Sequence, residues 1–340
     1  MDLRRALTPI RLAAVGLVIL IAALVVLLTT NSNEYLLVPD RAHPLTSLVQ
    51  VPGAKPERNG GGIYYVDVIE QKASLLERLF SGLRPKGATL VKHNQLAPPG
   101  VTDTQRAKAD ELDMQLSQEI ASAVALRALG YDVGIRQDGV KVAIVYGNTH
   151  AVGKLRPGDV IVAADGTPVR SLPTLHNLIV RHGVGEQVRI AFLRNGVRHT
   201  VEIETTKDPF GQSRSIIGIQ PAPAVKINAP FRIKFDLGGV GGPSAGLAFA
   251  LEILEKRGRD VDHGYKVAAT GEINPDGSVG AIGGVRQKVF GAGSSNVDVF
   301  LVPAGDNYRE AKKYAHRLKL IPVKTFQQAL RALATLPPKR

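Results

Sequence analysis

The first strong pattern is a run without a polar or charged side chain, from Leu12 to Leu28. At 1.5 Å per residue, a helix of about that length with its Thr29-Thr30 flank crosses a ~30 Å hydrocarbon layer. Arg4, Arg5 and Arg11 precede the run, whereas Glu34 and Asp40 follow it. The excess of cationic residues before the run predicts a cytoplasmic N-terminus. A cleaved signal peptide would have a shorter apolar region and a small-residue exit, which Thr30-Asn31-Ser32 fits poorly. A buried core helix would not stay free of charge for so long. The expectation is therefore a cytoplasmic segment at residues 1–10, an uncleaved membrane anchor at residues 11–30, and the remainder outside.

Beyond the anchor the pattern changes three times. Residues 31–127 open with an irregular Pro-containing stretch, followed by a predicted strand at Ile63–Ile69 after Gly60-Gly61-Gly62. Another loop follows at Pro98-Pro99-Gly100. Leu112, Leu116, Ile120 and Val124 then recur every four residues, which predicts an amphipathic helix from Asp103 to Leu129. Asp103 is its expected cap and Gly130 its stop. The stripe predicts core packing rather than a binding face. Residues 128–208 read as short strands at Val140–Val145, Asp159–Ala164, Gln187–Phe192 and Val201–Glu204, with a helix near Ser171–His182. Asp165-Gly166 and Asn195-Gly196 supply tight hairpin turns. Residues 209–336 alternate strands (Phe231–Phe235, Lys266–Thr270, Val297–Val302, Leu320–Val323) with helices (Ser244–Lys256, Gly284–Gly291, Asn307–Leu318, Thr325–Leu336). Residues 337–340 are a tail. The fold class is α+β and multidomain, with a central β domain and a C-terminal α/β domain.

Composition narrows the chemistry. A 44% hydrophobic content supports real cores, while 5% aromatic residues and no Trp argue against stacking platforms for single-stranded nucleic acid. With no Cys, a disulfide framework, a thiol nucleophile and a Cys-based zinc site are excluded. The eight His are dispersed without H-E-x-x-H spacing, so no metal is expected. Of the net charge of +13, residues 210–340 contribute most, with 19 Lys and Arg against 10 Asp and Glu. Those charges are scattered and mixed. They predict a solvated surface, or attraction to an acidic envelope or membrane, rather than a nucleic-acid partner.

Candidate chemistry concentrates in two segments. The first is Gly238-Gly239-Val240-Gly241-Gly242-Pro243-Ser244-Ala245-Gly246. Glycines allow close backbone approach, and Pro243 suits a helix start with Ser244 in the first turn, where free amides favour negative charge. Such a loop serves as a phosphate cradle, an oxyanion-stabilised nucleophile or a tight turn. No Lys precedes Ser244, so the P-loop pattern and a nucleotide partner are not expected. The segment also satisfies G-x-S-x-G. Five residues separate the predicted strand end at Leu237 from Pro243, however, which does not suit a nucleophile elbow, and Asp298 and His316 would be arbitrary triad partners.

The second segment comprises Thr270-Gly271-Glu272-Ile273 and Gly277-Ser278-Val279-Gly280-Ala281-Ile282-Gly283-Gly284-Val285-Arg286-Gln287-Lys288. Together the two resemble the proteolytic domain of Lon-type serine peptidases, marked by Pro-Ser-Ala-Gly, a Thr-Gly-Glu strand and an Ile-Gly-Gly turn before a lysine-bearing helix. One departure is Gly241, where ATP-dependent relatives usually have an acidic residue. The resemblance implies Ser244 as nucleophile, Lys288 as general base and Thr270 as the hydroxyl that orients the lysine. Arg286 cannot act as a base, and Glu272 is assigned no role. A lysine, with a free pKa of about 10.4, serves as a base when apolar burial disfavours its charged form. Val285, Val289 and Phe290 are the expected surroundings. The amides of Gly241, Gly242 and Ser244 are the candidate oxyanion hole.

In the central region, Leu155-Arg156-Pro157-Gly158-Asp159-Val160-Ile161 followed by Asp165-Gly166 resembles the signature of PDZ domains. These capture an extended peptide as an added strand. The resemblance implies a peptide site at Gly130, Tyr131, Val133, Gly134 and Ile135; the alternative is a structural β module whose groove is blocked by its neighbour. The whole arrangement resembles bacterial membrane-anchored PDZ–Lon peptidases without an ATPase domain, including a pre-PDZ helix around Met114–Leu126. That resemblance implies ATP-independent cleavage, without cofactor, of peptides or exported and membrane-linked proteins at the outer face of the plasma membrane. Two other readings stay open: a catalytically idle PDZ scaffold, and a small-molecule binder using the glycine loop. Oligomeric state is not predicted.

Overall fold

A computed structural model describes residues 9–56, 60–97, 100–208, 214–337 and 339. Arg4, Arg5 and the Pro98-Pro99 loop lie outside the described residues. The apolar run forms α1 (Pro9–Thr29), none of whose residues is buried.

The stretch expected to be irregular is instead the 14-residue strand β1 (Asn31–Pro44). Its prolines conceal it. Pro44 ends the strand, and Pro39 borders a register shift that continues to Ala42, where the ladder is already interrupted. β1 pairs antiparallel with β2 (Gly62–Ser74) and with β3 (Thr89–Lys92). The amphipathic helix is α2 (Asp103–Ala128), and its cap is Thr102 rather than Asp103. The Thr102 hydroxyl accepts the Gln105 amide at 3.2 Å, while the Gln105 side chain accepts the Thr102 amide at 2.9 Å. Asp103 instead accepts the Tyr35 hydroxyl at 2.5 Å.

The central module contains β4 (Gly134–Val145), β5 (Val160–Ala164), α3 (Leu172–Ile179), β6 (Gln187–Arg194) and β7 (Val197–Glu204). Asp165-Gly166 and Asn195-Gly196 take left-handed conformations, as their hairpin turns require. A later strand, β8 (Ile219–Asn228), joins this sheet, giving the order β8-β4-β5-β6-β7. The module has its own core, including Val140, Ile161, Leu175, Ile190, Phe192 and Ile203.

The remaining elements are α4 (Gly246–Lys256), β9 (Lys266–Ala269), α5 (Val285–Ser294), β10 (Val299–Pro303), α6 (Asp306–Lys312), β11 (Lys319–Val323) and α7 (Phe326–Ala334). The expected strand at Phe231–Phe235 is reduced to Lys234–Phe235. β9, β10 and β11 extend the first sheet to the order β11-β10-β9-β2-β1-β3, with β2, β9, β10 and β11 parallel. Leu45, Ile63 and Tyr65 share a core with Ile120 and Val124 of α2, Leu247 and Leu251 of α4, and Phe326 of α7. Segments on either side of the central module thus share a sheet and a core.

On the opposite sheet face, α5 lies very close to β1. A Cβ at Gly291 would sit 1.9 Å from the Asp40 carbonyl oxygen and 3.0 Å from Val66. Gly291→Ala therefore forces α5 off the sheet and is expected to destabilise the protein by about 2 kcal/mol or more. Thermal unfolding of the full chain in detergent micelles checks this; an unchanged Tm would contradict the packing.

Candidate active site

The nucleophile loop is held from two sides. From α2, the Ser117 hydroxyl donates to the Pro243 carbonyl at 3.0 Å, and the Asp110 carbonyl accepts the Gly242 amide at 2.8 Å. From the far side, the Gly271 amide and the Thr270 hydroxyl donate to the Ser244 carbonyl at 2.8 and 3.1 Å. Pro243–Ala245 form a single 3-10 turn leading into α4. Gly246 permits this passage, because a Cβ there would meet Ser117 Oγ at 2.8 Å and the Ile273 amide nitrogen at 3.1 Å.

Lys288 approaches from α5, which starts after Gly284 in a left-handed conformation. Its side chain is buried, lying with Thr270 among Ile282, Val285, Phe300 and Val302. Nζ is 2.5 Å from Ser244 Oγ and 3.4 Å from Thr270 Oγ1. Burial pushes the lysine pKa down to about 8, against the opposing pull of Asp67. Of the expected surroundings, Val285 lines the lysine, Val289 is buried in the adjoining core, and Phe290 faces the Tyr314 ring. Ser244, Lys288 and Thr270 are thus brought together from positions 44 and 18 residues apart.

Other expected residues are placed differently. The Gly242 amide is engaged by Asp110, so in this arrangement it is not an oxyanion donor, and Gly241 lies exposed at the loop. The Ser244 amide sits in the first helical turn, where donors lack intrahelical acceptors. Gly130 ends α2 with a φ of 88°. Tyr131 packs edge-on to Phe231 with centroids 5.5 Å apart, and Val133 is buried in the core shared by α2 and α4. Gly134 and Ile135 pair with Asn228 and Ile227 of β8. One edge of this segment is therefore already occupied by the chain itself. A cleft of about 390 Å³ lies between Gln220–Pro223 of β8, the start of α3, α2, Pro243 and Glu272–Pro275, opening beside the nucleophile loop.

Motif reading missed Asp110 and Ser117, which anchor the loop, and Asp67, which acts on the lysine. Ser117 carried one signal, a polar residue on the inward face of a helix.

Comparison with known proteins places these features. The PDZ domain family matches residues 127–205, and the Lon protease (S16) C-terminal proteolytic domain matches residues 233–335. Lon protease 2 of Bacillus subtilis is 35% identical over 158 residues, covering 46% of this chain and 27% of that protein. Lon protease of Mesomycoplasma hyopneumoniae is 36% identical over 94 residues, covering 26% and 10%. The chain thus spans about a quarter of the first relative's length and a tenth of the second's. The solved PDZ domain of the SdrC-like protein from Listeria monocytogenes is 28% identical with a TM-score of 0.23, covering 25% of this chain and 87% of that one. Behind one apolar N-terminal helix long enough to cross a membrane, the chain carries a PDZ domain and a C-terminal Lon-type proteolytic domain.

Proposed function

We propose that the protein is a membrane-anchored serine endopeptidase in which Ser244 is the nucleophile and Lys288 the general base. The observation that carries this reading is the 2.5 Å approach of Ser244 Oγ to a buried lysine amine whose pKa is pushed down to about 8. A Ser hydroxyl is a weak nucleophile until an adjacent base takes its proton. Neutral Nζ accepts that proton as Oγ attacks the peptide carbonyl. The resulting ammonium then protonates the leaving amine, and a water repeats the sequence to release the acyl group. Thr270 Oγ1 orients Nζ, and the Ser244 amide is the nearest oxyanion donor.

The substrates on this reading are extended peptides or exported and membrane-linked proteins. They enter the cleft between β8, α3 and the nucleophile loop, where the PDZ domain assists capture. Arg11 in the first turn of α1, with Glu34 and Asp40 after the helix, favours a single-pass plasma-membrane orientation with the catalytic domain outside. Action without ATP is the reading supported by the resemblance to Lon-type peptidases without an ATPase domain, and no G-x-x-x-x-G-K-[ST] pattern occurs in these 340 residues.

The test is cleavage of fluorescein-labelled casein by the full chain in detergent micelles without nucleotide. Cleavage is expected, with kcat/KM rising through about pH 8 as Lys288 loses its proton. A requirement for ATP would overturn the energy-independent reading, and a flat profile from about pH 6 to 9 would remove the lysine as base.

A further inference from the structure

A single helical turn, Leu75–Leu79, continues from the end of β2. Ser74 sets its start: the Ser74 hydroxyl accepts the Glu77 amide at 3.1 Å, and the Glu77 carboxylate accepts the Ser74 amide at 2.9 Å. A 3-10 turn follows at Ser81–Leu83. Arg84 closes the segment by donating to the Glu77 and Arg78 carbonyls at 2.7 and 3.1 Å. These bonds hold the backbone in one shape without burying its apolar side chains. Leu79, Phe80 and Leu83 are 64%, 54% and 58% exposed. A lone exposed apolar residue is ordinary, whereas a contiguous group marks an interaction surface. Beyond α1, the other large apolar side chains more than half exposed among the described residues are Val152, Val184 and Val197, all on the central module.

The place of this segment in the fold identifies what covers it. The Leu75 amide donates to the Thr30 carbonyl at 2.9 Å, one residue beyond the end of α1, and the helical turn packs against α1 itself. Leu83 shares a recess of about 760 Å³ with Leu28, the last residue of the apolar run, and with Lys72 and Glu77. Leu28 stands at the end of a span that fills the hydrocarbon layer, so its neighbours lie in the headgroup layer, roughly 5–8 Å deep on each side. A five-residue helical turn is only about 7.5 Å long, which keeps Leu79 and Phe80 near that depth. Cations border the patch. Lys72 at the end of β2 and Arg78 on the turn are both exposed, Arg78 with Nε 3.5 Å from Glu34 Oε2. Glu77 is engaged by Ser74, and the Arg84 guanidinium by backbone carbonyls. Leu and Phe beside Lys and Arg suit a surface that sits between acyl chains and phosphates.

We propose that residues 79–83 form a second membrane contact, in which Leu79, Phe80 and Leu83 enter the leaflet at the C-terminal end of α1 and Lys72 and Arg78 meet its phosphates. The occupant is the bilayer that surrounds α1, because the patch is continuous with the end of that helix. The proposal rests on the reading of α1 as a membrane anchor. Its consequence is orientation. A single spanning helix lets the folded domains tilt about one attachment, whereas a second contact built on β2 fixes the tilt of the sheet to which β2 belongs.

The test uses the absence of Cys, which lets one introduced thiol carry an environment-sensitive nitrobenzoxadiazole fluorophore without background. Phe80→Cys, Leu83→Cys, Leu20→Cys in the middle of α1, and Val197→Cys on the β6–β7 hairpin are each labelled in the full chain. Each is reconstituted in nanodiscs of phosphatidylcholine and phosphatidylglycerol, with a lipid spin label placed shallow or deep along the acyl chain. At positions 80 and 83 the emission shifts to the blue and is quenched more by the shallow label. At position 20 the deep label quenches more, and at position 197 neither does. Should circular dichroism show Phe80→Cys misfolded, Leu83→Cys reads the same layer alone. Labels at 80 and 83 that behave like the one at 197, with position 20 quenched, overturn the proposal and leave the anchor standing. Blue-shifted but unquenched emission at 80 and 83 also overturns it, since a second copy of the chain then covers the patch. An unquenched label at position 20 overturns the anchor reading itself, and the proposal with it.

Discussion

Ser244→Ala is expected to abolish casein cleavage, with kcat falling by roughly 10⁴-fold or more, the scale seen when a serine nucleophile is removed. The loss should leave the fold intact, for a specific reason. Ser244 is held in place through its backbone, its carbonyl accepting from the Gly271 amide and the Thr270 hydroxyl. Its side chain contacts Nζ of Lys288. Alanine keeps the first set and deletes the second. The comparison therefore pairs a cleavage assay with a thermal melt, and a Tm within a few degrees of wild type is expected. Substantial residual cleavage by a folded, purified Ser244→Ala protein would remove Ser244 as nucleophile and return attention to the scaffold reading.

Replacement of Lys288 separates charge from basicity. Lys288→Arg should be as inactive as Lys288→Ala, because a guanidinium with a pKa above about 12 keeps its proton and cannot accept one from serine. The larger planar head must also fit among Ile282, Val285, Phe300 and Val302. Lys288→Met gives the more informative outcome, with activity lost but stability gained. The lysine titrates near 8 when folded, against an ordinary value of 10.5. Below pH 8 both states are protonated and the folded state bears the full cost of a buried ammonium, about 3 kcal/mol for a shift of this size. Between about pH 8 and 10.5 the folded lysine is neutral while the unfolded one still binds a proton, so wild-type stability climbs with pH. The advantage of Met is thus complete below pH 8 and vanishes above about 10.5. Chemical denaturation of both proteins at pH 7 and pH 10 measures it. A Met variant less stable than wild type at pH 7 would mean that the amine is not strained by its surroundings.

These two experiments also bear on why activity and stability diverge at one residue. Burial that makes Lys288 a usable base is the same burial that makes its ammonium expensive.

Much of this architecture is encoded in short stretches of the chain. The anchor follows from an uninterrupted apolar run, and the hairpins at Asp165-Gly166 and Asn195-Gly196 from residues that tolerate left-handed backbone. α2 announces itself by a four-residue stripe. Ser244, Thr270 and Lys288 are recognisable because each lies in its own distinctive local segment, so their order and spacing survive in one dimension.

Other features depend on partners far apart in sequence. Local reading takes β1 for a loop, because Pro39 and Pro44 mask a strand that tolerates the first beside its bulge and the second at its end. It puts the α2 cap at Asp103 because either neighbour is a good capping residue; the reciprocal bonds of Thr102 and Gln105 decide between them. It leaves the Gly242 amide available for an oxyanion, whereas the Asp110 carbonyl of α2 takes it. It offers Gly134 and Ile135 to a peptide, although β8 already pairs one edge of them. Helix and turn signals lie within a few residues because they reflect backbone sterics and nearby hydrogen bonds. A shared carbonyl or an occupied strand edge is fixed by which distant segments the core brings into contact, and no local pattern of side chains records that choice.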